Sequence, residues 1–185
     1  MVEILKPLHP DLLTWTAFGF SVLSGVLFLF SEEKPLLFFF IILLLFLRIA
    51  LNALDGMVAK ETGKARPQGE LLNELLDRAS DVAILLGLGF SPLVHIQIAI
   101  LTIPLVLISS YTGILGKALG TRRQYGGIMG KADRVILLMV FSLIRFIIDS
   151  EPKGLFLFDY ALIIILVGVV VTIFQRIFAI RKELE

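Results

Sequence analysis

Cysteine is missing from this chain altogether, which excludes disulfides and thiolate metal centres but says nothing about compartment. Net charge is nearly missing too: 17 Lys and Arg against 16 Asp and Glu leave +1 at pH 7, a balance that favours no nucleic-acid partner. No repeat, linker or low-complexity tract interrupts the 185 residues, so one domain, 1–185, is expected. Nothing at the N-terminus reads as a cleavable signal, because Met1–Pro10 is mixed in character and the first apolar run leads into a full-length span.

What the chain does have is apolar length. Hydrophobic residues make up 57% of it and Phe alone occurs 15 times, the composition of an integral membrane protein. A bilayer span takes roughly 20 mostly apolar residues. Six stretches qualify, near 12–30, 35–57, 69–91, 93–116, 133–149 and 157–179. The expected fold is therefore all-α, with six transmembrane helices. Met1–Thr16, with Lys6, Pro7, Pro10 and Asp11 ahead of Leu12, Leu13 and Trp15, reads as a short interfacial segment or as a frayed terminus.

Six spans put both termini and the second and fourth loops on one side. That side collects Lys6, Lys60, Lys64, Arg66, Lys117, Arg122, Arg123, Lys131, Arg134, Arg176, Arg181 and Lys182, while the other holds Lys34 and Lys153. Loops rich in Lys and Arg stay inside, which predicts a multi-pass protein of the cell membrane with both termini cytoplasmic and surrounded by membrane lipids.

The apolar pattern is broken at one place. Between Asn52 and Asp81 the chain carries Asn52, Asp55, Asn73, Glu74, Asp77 and Asp81 beside or within segments otherwise fit for lipid. Ionisable groups at that depth are costly and face an interior site or a wet cavity. Asn73, Asp77 and Asp81 recur every four residues, so they share a helix face, as do Asn52 and Asp55 at a spacing of three. Glu74 falls on a different face. The segment between Gly56 and Gly69 is short enough to fold the two helices into a hairpin.

Charged residues nearby have two readings each. Arg48, one turn before Asn52, is a snorkelling anchor or, as favoured here, a buried counter-ion for the carboxylates. Arg78 lies about 100° round the helix from Asp77, toward a neighbouring helix or the lipid interface. His95 reads as an interfacial histidine rather than a ligand. The loop Lys117–Arg134 contains Lys117, Arg122, Arg123, Lys131 and Arg134 among Gly120, Gly126, Gly127 and Gly130. Such a loop sets topology and touches anionic lipid, or it forms a phosphate site.

Carboxylates and amides from two facing helices make an oxygen-donor site suited to Mg²⁺ or Mn²⁺. A cation there would bridge a diphosphate and stabilise a leaving nucleotide, and a carboxylate not committed to metal could take a proton from an incoming hydroxyl.

At these residues the chain resembles the CDP-alcohol phosphotransferases. Their signature D-x-x-D-G-x-x-A-R-x8-G-x3-D-x3-D is read here as Asn52, Asp55, Gly56, Ala59, Lys60, Gly69, Asn73 and Asp77, with every spacing kept. Pro10-Asp11-Leu12-Leu13-Thr14 is similar to a P-N-x-x-T opening of the first helix. Gly130-Lys131-Ala132-Asp133-Arg134 is similar to a G-x-x-E-R opening of the fifth, and Asp77-Arg78-Ala79-Ser80-Asp81 to a D-R-x-x-D continuation.

The resemblance implies transfer of a substituted phosphate from a CDP-lipid donor to an alcohol acceptor, with release of CMP, by a homodimer holding two divalent cations, Mg²⁺ or Mn²⁺; this chain's departures from the signature leave one or two ions open. Asn52, Asp55, Asn73, Asp77 and Asp81 would be the metal ligands, with Asp77 and Asp81 the catalytic carboxylates. Gly56, Ala59, Lys60 and Gly69 would line the cytidine pocket. Lys117, Arg122, Arg123, Lys131 and Arg134 would receive a phosphorylated acceptor such as glycerol phosphate or inositol phosphate. Two signature aspartates are Asn52 and Asn73, and the signature Arg is Lys60; the amides remove two negative charges, and Asp81 is the candidate to restore part of them. A silent protein that binds nucleotide or lipid, or scaffolds a partner, is the competing class. A cation-coupled transporter is a third, disfavoured because the polar groups gather at one side.

Overall fold

Prolines open two of the helices. Pro10 and Pro67 occupy the first turns of α1 (Pro10–Phe30) and α3 (Pro67–Gly89), where the missing N–H has no helical partner to lose and the fixed φ suits the helix. The computed structural model describes residues 9–63, 66–148 and 156–185. Within these, α2 (Leu36–Glu61), α4 (Ile96–Ala118), α5 (Lys131–Ile147) and α6 (Leu157–Leu184) complete an all-helical fold. Met1–Leu8, Lys64 and Lys153 lie outside the described residues, as does the side chain of Lys60.

All six helices fall where expected, with shifted ends. α1 starts at Pro10, so the second half of the expected interfacial segment is already helix: Leu13 and Thr14 are buried, while Trp15 is half-exposed. α5 starts at Lys131 rather than Asp133, because the Asp133 carboxylate turns back to accept the Gly130 N–H at 2.8 Å. α6 runs on to Leu184, its last turn carrying Arg181 and Lys182 against the negative end of the helix dipole. Pro104 sits inside α4 without ending it. After α2 the chain reverses through Gly63, whose φ of +66° suits a residue without Cβ.

Four helices, α1, α2, α4 and α6, are long and apolar enough to cross a membrane. α3 carries Glu70, Glu74, Asp77, Arg78 and Asp81, and α5 is only 17 residues with Lys131, Asp133, Arg134 and Arg145. These two helices outside the apolar criterion supply half of the buried charged side chains among the described residues: Asp77, Asp81, Arg134 and Arg145.

α1 packs on α2 and α3, α2 also on α5, α3 on α4, and both α4 and α5 on α6. α1 and α3 approach most closely through small residues: a methyl group added to Gly25 would strike the Ala83 carbonyl, and one added to Gly87 would strike the Gly25 backbone. One end of the bundle is closed by Phe28, Phe38 and Phe158, with ring centroids 5.6 and 5.8 Å apart. There the buried Asp159 carboxylate accepts N–H groups of His95 (2.8 Å) and Phe156 (2.9 Å) and meets His95 Nδ1 at 2.7 Å. His95 therefore ties the α3–α4 turn to α6 instead of standing alone. The polar residues gather at the opposite end, at the start of α1, α3 and α5 and the end of α2, α4 and α6.

Candidate active site

Two of the cavities at that polar end adjoin each other. The larger, about 520 Å³, lies among Thr14, Asp55, Gly56, Ala59, Arg66, Gly69 and Asn73. Gly56, Ala59 and Gly69, expected together, are together, and a Cβ at Gly56 would meet only open space. Thr14 Oγ1 donates to Asp55 Oδ2 at 3.0 Å, which joins the start of α1 to the end of α2. Asp55 Oδ1 is buried with no hydrogen-bond partner, and so is Asn73 Oδ1 across the cavity on α3.

The smaller cavity, about 220 Å³, is cationic. Arg78, Arg123, Lys131, Arg134 and Arg176 line it against Glu74, Asp77 and Asp81, with Asn73, Ser110, Gln124 and Tyr125 between them. Asn73, Glu74, Arg123 and Tyr125 border both cavities. Five cations, of which Arg134 and Arg176 are buried, face three carboxylates, and the excess of positive charge is one that an anion would offset.

Asp77 stands between the two groups. Its Oδ1 accepts from Asn52 Nδ2 at 3.1 Å and its Oδ2 from Lys131 Nζ at 2.7 Å. Asp81, one turn deeper, has a different setting from the one expected. Its Oδ1 accepts from Arg48 Nη2 at 2.7 Å and its Oδ2 from Arg134 Nη2 at 2.6 Å. A carboxylate flanked by two guanidiniums is a poor third ligand for a dication, because the added positive charge would meet both. The counter-ion reading of Arg48 is the one observed, and its side chain is wholly buried.

The basic loop divides. Arg123, Lys131 and Arg134 reach the cationic cavity. Arg122 points outward while its N–H donates to Glu183 at 2.9 Å, and Lys117 pairs with Glu70 on the outer surface. Glu74 also departs from expectation. It borders both cavities and pairs with Arg78 (2.7 Å) and with Arg123, because a residue three before Asp77 lies only about 60° from it round a helix.

Arg176 is the residue that sequence reasoning passed over. It donates to the carbonyls of Gly126 (2.9 Å) and Ser109 (2.5 Å), bridging α6, α4 and the loop. Met129 N–H reaches Thr172 Oγ1 at 2.9 Å and Ile128 N–H reaches Gln175 Oε1 at 3.1 Å. Gly127, at φ +121°, leaves room for Thr172. A lone arginine inside an apolar span was the available signal.

Among the described residues no three His, Cys, Asp or Glu side chains are grouped to hold a metal. The donor set that does fit is mixed. The unpartnered oxygens of Asp55 and Asn73 are hard ligands on the border of one cavity, with the Asn52–Asp77 pair a turn away on the same two helices, and Mg²⁺ or Mn²⁺ accepts carboxylate and amide oxygen alike.

Residues 7–174 match the family described as CDP-alcohol phosphatidyltransferase. The chain belongs to that family. Among relatives, the inner membrane protein YnbA of Escherichia coli is 34% identical over 131 residues, covering 71% of this chain and 65% of that protein. An archaetidylinositol phosphate synthase of Pyrococcus horikoshii is 29% identical over 135 residues, 73% of this chain and 66% of that one. The chain thus spans just under two thirds of these two curated relatives. The phosphatidylinositol phosphate synthase of Mycobacterium tuberculosis, solved with CDP-DAG bound, superposes with a TM-score of 0.75 over 97% of this chain and 90% of that chain. At 22% identity it establishes that the two share a fold. The same enzyme was also solved with manganese and citrate, at a TM-score of 0.76.

Proposed function

We propose that the protein transfers a substituted phosphate from a CDP-linked lipid to an alcohol that itself carries a phosphate, releasing CMP. The observation that carries this reading is the meeting of two unlike cavities at Asn73 and Glu74. One is open over Gly56 and edged by unsatisfied oxygen donors, and the other is cationic. A nucleotide diphosphate suits the first, where small residues admit close approach. A phosphate monoester suits the second, where guanidinium groups offer paired donors.

A divalent ion on Asp55 and Asn73 would supply charge neutralisation for the diphosphate. The remaining work belongs to the chain. Asp77 takes the proton from the acceptor hydroxyl. The acceptor oxygen forms a bond to the lipid-bearing phosphorus as the bond from that phosphorus to the bridging diphosphate oxygen breaks. The electron pair leaves on CMP. Arg123 and Arg134 hold the acceptor's own phosphate, and Asp81 positions Arg134 rather than reacting. Thr14 fixes the Asp55 carboxylate.

The same reading places all six helices across the cell membrane as one domain, α3 and α5 meeting lipid through exposed Leu75, Leu86, Ile136 and Val140, with both termini and the site at the cytoplasmic face. Its support is that Arg66, Lys117, Arg122, Arg123, Lys131, Arg181 and Lys182 share the site's end. A homodimer belongs to it as well.

The test is release of CMP by purified protein from CDP-diacylglycerol or its ether counterpart, with Mg²⁺ or Mn²⁺, across a panel of acceptors. Glycerol phosphate or inositol phosphate is expected to outperform serine, glycerol or free inositol. Nucleotide binding without CMP release from any pair would favour the silent alternative, which the amides Asn52 and Asn73 motivate.

A further inference from the structure

The two amides have a counterpart across the site. Asn52 and Asn73 subtract two negative charges from a pattern of four carboxylates, and on the facing helix Lys131 adds a positive one. Its ammonium meets Asp77 Oδ2 at 2.7 Å, while the Asn52 amide N–H covers Oδ1 at 3.1 Å. Both Asp77 oxygens therefore already face donors in a residue only 7% exposed. Asp55 Oδ1 and Asn73 Oδ1, on the larger cavity, face none.

Lys131 is also the first residue of α5. A positive charge at a helix N-terminus opposes the helix dipole, so helix stability does not explain its presence there. The Gly130–Asp133 cap fixes that first turn, and the turn delivers the ammonium to Asp77.

We infer that this chain holds a single divalent cation, on Asp55 and Asn73, and that the Lys131 ammonium occupies the position at Asp77 where a second cation would otherwise sit. The inference rests on the transferase reading for the presence of a metal and deepens it by assigning Lys131. Charge decides between one ion and two. Counted over the same three groups, Asp55, Asp77 and Lys131, two dications would leave a surplus of three positive charges and one dication a surplus of one.

The test counts Mn²⁺ by electron paramagnetic resonance on the purified full chain without substrate. The wild type is expected to bind one ion per chain with an uncoupled six-line signal. Asn52→Asp with Lys131 retained stays at one, and so does Asn52→Asp with Lys131→Arg. Asn52→Asp combined with Lys131→Met rises to two ions with a spin-coupled signal. A coupled pair in the wild type overturns the inference and needs no variant to fold. So does a second ion in Asn52→Asp alone, which would leave Lys131 as a phosphate ligand, or a double variant that is folded by circular dichroism and still binds one. Absence of any Mn²⁺ overturns it as well, whereas one bound ion without CMP release overturns the transferase reading alone.

Discussion

Arg48 Nη2 lies 2.7 Å from Asp81 Oδ1, and Arg134 Nη2 lies 2.6 Å from the other oxygen of the same carboxylate. One buried anion thus holds two buried cations from different helices. The consequences of removing each partner are unequal. Asp81→Ala leaves two guanidiniums unpaired, a loss of roughly 3–5 kcal/mol on the usual scale for breaking a buried ion pair. Arg48→Met leaves Asp81 still paired with Arg134 and should cost about 1–2 kcal/mol less. Thermal unfolding in detergent gives the order, and a more damaging Arg48→Met would contradict it.

Glycine positions give a second contrast. Gly87→Ala forces a methyl into the Gly25 backbone, which separates α1 from α3 and should destabilise the bundle by about 1–3 kcal/mol, the range for overpacked sites. Gly19→Ala meets nothing within 4 Å and should be neutral or gain up to about 1 kcal/mol of helix propensity. Paired melting curves check both.

The sorting of the basic loop predicts kinetics. Arg123 lines the cationic cavity and Arg122 does not. Losing a charge-assisted hydrogen bond worth about 1.5–3 kcal/mol should raise the KM for a phosphorylated acceptor about 10- to 150-fold in Arg123→Ala. Arg122→Ala should change it less than about threefold. Equal effects from both would mean that the loop acts through overall charge.

Thr14 is the fourth case. Its hydroxyl is the donor to Asp55 Oδ2, so Thr14→Val should weaken Mn²⁺ binding several-fold while Thr14→Ser preserves it. Titration calorimetry separates the two, and identical affinities would remove Thr14 from the site.

Much of this architecture was legible in the residues. Helix positions followed from apolar length, and the shared face of Asn73, Asp77 and Asp81 followed from their spacing, because both are local properties of a chain. The signature residues Gly56, Ala59 and Gly69 also border one cavity. What escaped were pairings between helices distant in sequence. Arg48 was legible as a counter-ion for the carboxylates, but Asp81 read as a metal ligand because nothing local announces its second partner, Arg134, 53 positions away. Glu74 was set aside because a single face was drawn too narrowly, when the site spans the seam between α3 and its neighbours. Arg176 counted only toward the charge asymmetry and Asp159 drew no reading, although isolated charges in an apolar helix need partners, and both have them. The division into four apolar helices and two charged ones has the same origin: α3 and α5 bring Glu74, Asp77, Arg78, Lys131 and Arg134 to the cationic cavity, which raises their polar content.

The central claim is a phosphoryl transfer organised around Asp77. Phosphorus NMR of the purified protein with CDP-diacylglycerol, Mg²⁺ and inositol phosphate or glycerol phosphate tests it most directly. Conversion of the diphosphate resonances to CMP and a new phosphodiester, abolished in Asp77→Asn and by chelation, is the predicted result. Unchanged diphosphate with every acceptor, or conversion that persists undiminished in Asp77→Asn, would contradict it.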